Sequence, residues 1–88
     1  MNEDGKVHML KIMPEFYQAV IDGRKTFELC RNDRDFSIGD TLILCEWNGE
    51  EFTGREWRCQ VEYILEGYVG LQPGYAILGI SPTRSLTP

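Results

Sequence analysis

The first periodic signal is "VHMLKI", residues 7–12, where His8, Leu10 and Ile12 fall on one side and Val7, Met9 and Lys11 on the other, predicting a short strand. The period then changes. In "PEFYQAVIDG" Phe16, Ala19 and Val20 stand at i, i+3 and i+4, and Tyr17 pairs with Ile21, the spacing of a helix with one buried face. Pro14 suits a first turn, Glu15 favours the positive end of the helix dipole, and Gly23 supplies a left-handed terminal residue, so about nine helical residues are expected.

Alternation returns in "KTFEL", 25–29, with Phe27 and Leu29 on one face and Thr26, Glu28 and Cys30 on the other. "RNDRDFSIGD" reads as a loop turning at Gly39-Asp40 into "TLILCEW", 41–47, which is apolar on both faces like a central or barrel strand. Asn48-Gly49 is a hairpin signal, although Gly54 leaves a longer loop open. From 55 to 65, Arg55, Trp57, Cys59, Val61, Tyr63 and Leu65 alternate with Glu56, Arg58, Gln60, Glu62 and Ile64. A glycine-punctuated loop at 66–74 precedes a last strand, "YAILGI". One domain over 6–81 is expected, with flexible ends at 1–5 and 82–88. Strand, helix, then four strands suggests an α+β, mainly β fold, or a small barrel plugged by a helix and without exposed edges.

Composition narrows this picture. A chain of 88 residues allows one core, burying about 60–65% of the surface of the unfolded chain, and 42% hydrophobic residues suit a compact fold. No apolar run approaches the roughly 20 residues of a membrane span, and "MNEDGK" has no apolar signal segment, so a cytoplasmic protein without membrane contact is expected. Cys30, Cys45 and Cys59 are odd in number and widely spaced. They read as reduced, buried thiols rather than as a disulfide framework or, with His8, a metal site; no metal or cofactor is expected. His8 shares a face with Leu10 and Ile12 and reads as a hydrogen-bonded, partly buried ring. Trp47, Trp57 and Tyr63 read as core.

A net charge of −5 argues against coating nucleic acid by bulk electrostatics. The exception is "GRKTFELCRNDRDF", 23–36, where Arg24, Lys25, Arg31 and Arg34 face only Glu28, Asp33 and Asp35 in an otherwise acidic chain.

That stretch sits within an ordered series: "HMLKI", a proline before the helix, "GRKTFEL", "NDRDF", "IGD", "EW", "FTGR", "YIL" and "GYAILGI". The series resembles the activating signal cointegrator homology (ASCH) family of the PUA-like fold, and more closely a small uncharacterised bacterial and phage subfamily of it. The resemblance runs from His8 to about Ser81. It implies a pseudo-barrel of five or six strands with one short N-terminal helix covering an end, a cleft lined by the glycine-lysine motif, and an association with RNA. Relatives usually carry arginine where this chain has Cys30. Arg31 can supply the charge, but one step along a strand points it to the opposite face.

The expected site is therefore an RNA- or nucleotide-binding cleft at 24–34, drawing on Lys11, Arg24, Lys25, Thr26, Glu28, Arg31 and Arg34. Arg24 and Lys25 would meet phosphate or a carbonyl oxygen, Glu28 would accept from an exocyclic amine, and Tyr68 or Trp47 could stack on a base. The competing account is a set of solvated ion pairs worth under about 1 kcal/mol each. Some small ASCH proteins are amidohydrolases that deacylate modified cytidine, which the resemblance maps to Lys25, Glu28 in place of a threonine, and Glu66. A third class is a protein-interaction module using the acidic second half.

Overall fold

The computed structural model describes residues 5–83. The expected flexible ends fall mostly on residues 1–4 and 84–88, outside the described residues. The elements are β1 (Val7–Ile12), α1 (Pro14–Ile21), β2 (Phe27–Arg31), β3 (Thr41–Trp47), β4 (Phe52–Glu66) and β5 (Tyr75–Pro82). The α+β, mainly β expectation holds, with five strands curled into a half-barrel and one short helix.

Helix α1 starts with Pro14 in its first turn and Glu15 beside the N-terminus. It ends where Gly23 turns to φ 82°, allowing the Arg24 and Lys25 N–H groups to bond Ala19 O at 2.9 and 3.0 Å. Those two bonds also delay β2. Lys25 is still tied to the helix end, so the strand begins at Phe27, two residues later than its alternation suggests, and runs to Arg31. The buried stripe of the helix is Tyr17 and Val20; Phe16, predicted to share the buried face, is 45% exposed.

The sheet order is β1-β3-β4-β5-β2, with β1 parallel to β3 and every other pair antiparallel. The half-barrel is consistent with the expected pseudo-barrel, but β1 and β2 are the two ends of the sheet, so the expectation that no edges are exposed is corrected. Tight turning at 48–51, with Asn48 Oδ1 accepting from the Glu50 and Glu51 N–H groups, starts β4 at Phe52 rather than 55. Gly54 lies inside that strand at φ 98°, opposite a register shift between Cys45 and Trp47.

A second shift between Val61 and Tyr63 inserts Glu62 into β4. It reverses the alternation beyond that point, so Tyr63 is 62% exposed over Gly79 instead of lying in the core, while Ile64 turns inward. Leu42, Leu44, Cys59, Val61, Ala76 and Leu78 form the centre of the core on the concave side, closed by Tyr17, Val20 and Phe36. Trp57 packs against it. Trp47 is only half-buried, edge-on to Phe52 at 4.9 Å between ring centroids.

Two buried carboxylates, Asp40 and Glu46, are matched by donors, whereas Asn32 Oδ1 is buried without a partner. His8 Nε2–H donates to Asp40 Oδ2 at 2.8 Å, and Asp40 also accepts from the Lys6 and Ser37 N–H groups at 3.1 and 3.0 Å. Burial alone would raise the Asp40 pKa, but the His8 bond and the two backbone bonds outweigh it and hold the carboxyl below its usual range. Glu46 opposes the Gly54 bulge and accepts from Thr53 Oγ1 at 2.7 Å and Arg55 Nε at 3.0 Å, with Arg55 4.7 Å from the Tyr17 ring centroid. Among the described residues no His, Cys, Asp and Glu side chains gather as a metal site, and no helix is long and apolar enough to cross a membrane.

Candidate nucleobase site at the β2 edge

Alternation along β2 sends Glu28 and Cys30 toward the concave side and leaves Phe27 and Leu29 44% and 56% exposed. Lys25, held by the helix terminus, folds across the free edge of the strand. Its ammonium donates to Glu28 Oε2 at 2.6 Å and to Phe27 O at 2.7 Å. The ammonium also lies 4.9 Å from the Phe27 ring centroid and 5.8 Å from that of Phe16. The side chains of Lys25 and Glu28 are only 15% and 13% exposed.

Around this pair opens a depression of about 260 Å3 lined by Phe16, Lys25, Phe27, Glu28 and Leu29. Apolar walls meet one hydrogen-bonding pair. Lys25 uses two of its three donors and Glu28 one of its two oxygens within the protein, so one donor and one acceptor remain for a ligand. Cys59 lies beneath, its thiol pushed up to about 12 by burial and further by the Glu28 carboxylate, against the opposing effect of Lys25. Burial, then Glu28 and Asp33, also raises Cys30 despite Arg34. Neither thiol is a ready nucleophile.

The other predicted residues scatter. Arg24 is exposed and does not line the depression, its Nη2 donating to Asp22 Oδ2 at 3.1 Å. Thr26 is exposed and contributes its carbonyl to the sheet by accepting from the Ile80 N–H at 3.0 Å. Arg34 reaches to the opposite edge of the sheet, where Nη1 donates to Met9 O at 2.7 Å. Lys11 is there too, 4.4 Å from the Trp47 ring centroid, and both cations line a separate depression with Met9, Leu10, Cys45 and Phe52. Arg31 faces outward beside Tyr75, whereas Cys30 faces in, so Arg31 does not stand in for an arginine at position 30.

Glu66 shares the inner face but aligns through Ala76 with Cys30, two positions beyond Glu28, or roughly 7 Å along the strand. Asn32 Nδ2 donates to it at 2.6 Å. Lys25 and Glu28 are thus together and Glu66 is apart. Tyr68 is exposed in the 67–74 loop, and neither it nor Trp47 lines the depression. The aromatic walls that sequence reasoning missed are Phe16 and Phe27. Phe27 sits two positions after Lys25, but its outward direction depends on where β2 begins.

Residues 7–80 match the family model described as a domain of unknown function, DUF3850. The chain is also 36% identical over 80 residues to an uncharacterized 12.9 kDa protein in the GpA 3′ region of Escherichia phage P2, an alignment covering 84% of this chain and 71% of that protein.

Proposed function

The chain belongs to the DUF3850 family, and we propose that it binds a nucleobase, carried by RNA or a free nucleotide, in the depression at the β2 edge. The observation that carries this reading is the Lys25–Glu28 pair, nearly buried yet with one donor and one acceptor unused, between the exposed rings of Phe16 and Phe27. A base stacks on Phe27 or Phe16. Glu28 accepts from its exocyclic amine while Lys25 donates to the neighbouring ring nitrogen or carbonyl oxygen, a pattern that cytosine offers.

Likeness of "GRKTFEL" and the surrounding series to the ASCH branch of the PUA-like fold supports the same assignment. Stacking supplies about 1–3 kcal/mol per base, so a nucleoside alone binds weakly, near the millimolar range. With a net charge of −5 the protein gains little from long-range attraction, and specificity rests on the pair.

Titration of 15N-labelled protein with cytidine, uridine and short single-stranded RNAs tests this. The expected result is amide shifts at Phe16, Lys25, Phe27 and Glu28, larger with cytidine than uridine, and reduced by Glu28→Gln. Shifts confined to other parts of the surface refute it. N4-acetylcytidine should be recovered unchanged, because Glu66 is held by Asn32 away from Lys25 and Glu28; its hydrolysis would replace binding with amidohydrolase chemistry.

A further inference from the structure

The free edge of β2 has a hydrogen-bonding bias that deepens the nucleobase reading and rests on it. The Ile80 N–H bonds Thr26 O at 3.0 Å and the Asn32 N–H bonds Gly74 O at 2.8 Å, which fixes the parity of the β2–β5 ladder. Even-numbered residues of β2 bond to β5, and Phe27, Leu29 and Arg31 direct their backbone groups off the edge. Two of those three carbonyls are occupied: Phe27 O by Lys25 Nζ at 2.7 Å and Arg31 O by the Asp33 N–H at 2.9 Å. The edge is left with three outward N–H donors and one open carbonyl, that of Leu29. A peptide strand presents donors and acceptors in equal number and matches such an edge poorly. A chain rich in acceptors, such as a phosphodiester, matches it well.

Side chains carry the same bias. Within 24–34, Arg24 is paired with Asp22 at 3.1 Å, Lys25 with Glu28 at 2.6 Å and Arg34 with Asp33 at 3.9 Å. Arg31 has no carboxylate partner among the described residues. Its guanidinium lies 5.1 Å from the Tyr75 ring centroid, and Nη2 donates to Tyr75 Oη at 3.3 Å, which orients the plane and leaves other N–H groups open. Beside it is a second depression, about 320 Å3, lined by Leu29, Gly70, Leu71, Gln72 and Tyr75. Leu29 lines both depressions and joins them. From Phe27 to Arg31 the strand advances roughly 13 Å, more than one base spans.

We propose that the ligand is a single-stranded oligonucleotide of two or more nucleotides laid along the β2 edge. One base occupies the Lys25–Glu28 depression, the linking phosphate meets Arg31 and the outward N–H groups, and the next base rests against Tyr75 and Leu71. Arg31 acts on the phosphate, one subsite away from the base that Lys25 and Glu28 read.

Fluorescence anisotropy with 5′-fluorescein hexacytidylate, and competition by cytidine monophosphate, tests the proposal. The hexamer should bind at least about 10-fold tighter than the monophosphate, since the second contact is intramolecular. Arg31→Ala should abolish that gain and reduce the slope of log K against log salt by about 0.7, one phosphate contact on a single strand. Arg31→Lys should keep the slope and lose part of the gain through weaker stacking on Tyr75. Equal affinity for hexamer and monophosphate, or an Arg31→Ala protein that binds the hexamer like the parent, overturns the second subsite. Cytidine shifts at Lys25 and Glu28 then tell whether the first base site survives. A β-strand peptide that shifts the Phe27, Leu29 and Arg31 amides where RNA does not overturns both.

Discussion

Replacing Asp40 tests the polar knot that fixes the start of β3. Its side chain accepts from His8 Nε2–H at 2.8 Å, the Ser37 N–H at 3.0 Å and the Lys6 N–H at 3.1 Å, with Asp40 2% and His8 7% exposed. Asp40→Ala leaves the His8 N–H buried without a partner, which costs about 1–3 kcal/mol, and removes two partly buried backbone bonds at about 0.5–1.5 kcal/mol each. A total of about 2–6 kcal/mol is a large share of the roughly 4–13 kcal/mol expected for an 88-residue domain. Asp40→Asn keeps one acceptor oxygen and should lose less, about 1–3 kcal/mol.

The pH dependence separates charge from shape. The Asp40 pKa is depressed in the folded state, so its contribution is present above the unfolded value near 3.9 and is lost as pH falls through the folded value. In urea unfolding followed by tryptophan fluorescence, the gap between parent and Asp40→Asn should be full above about pH 5 and narrow below about pH 4. A gap unchanged down to pH 2.5, or an Asp40→Ala cost under about 1 kcal/mol, refutes the reasoning.

Other expectations follow from the same contacts. A double-mutant cycle on Lys25→Met and Glu28→Gln should give a coupling of about 1–3 kcal/mol, between exposed and buried pairs, and a value near zero would place the pair in solvent. Native protein at pH 8 should leave Cys59 unlabelled by iodoacetamide until unfolding, since its pKa of about 12 keeps it a thiol; early labelling there would contradict its burial. Asn48→Ala, which removes two acceptor contacts in the β3–β4 turn, should lower stability by about 1 kcal/mol in the same urea assay, and an unchanged midpoint would discount the turn.

How much of this is legible in the chain differs by element. Helix α1 and strands β1 and β5 follow from periodicity because their side chains sort by burial, and β3 follows from an apolar run that is buried on both faces. Strand β4 reads correctly as far as Val61, then inverts at a bulge that no residue type announces, and so misplaces Tyr63. Gly54 marks a bulge within β4 rather than a loop, since a lone glycine signals left-handed backbone without saying which element contains it. In the candidate site, Lys25 and Glu28 are readable as neighbours. The dispersal of Arg24, Arg31 and Arg34 is not, because it depends on chain direction after β2. The open sheet was equally hidden, since pairing partners are set by contacts remote in sequence.

The route of the chain has a temporal consequence. Strand β2 has one ladder partner, and Arg31 must wait for Tyr75, 44 positions downstream, before its strand is held in place. During synthesis the β3–β4 hairpin can assemble from neighbouring sequence, whereas the ledge formed by Phe27, Leu29 and Arg31 has no support until β5 has emerged. A nascent chain, or one clipped before Tyr75, would lack the sole ladder partner of β2 and with it the ledge itself.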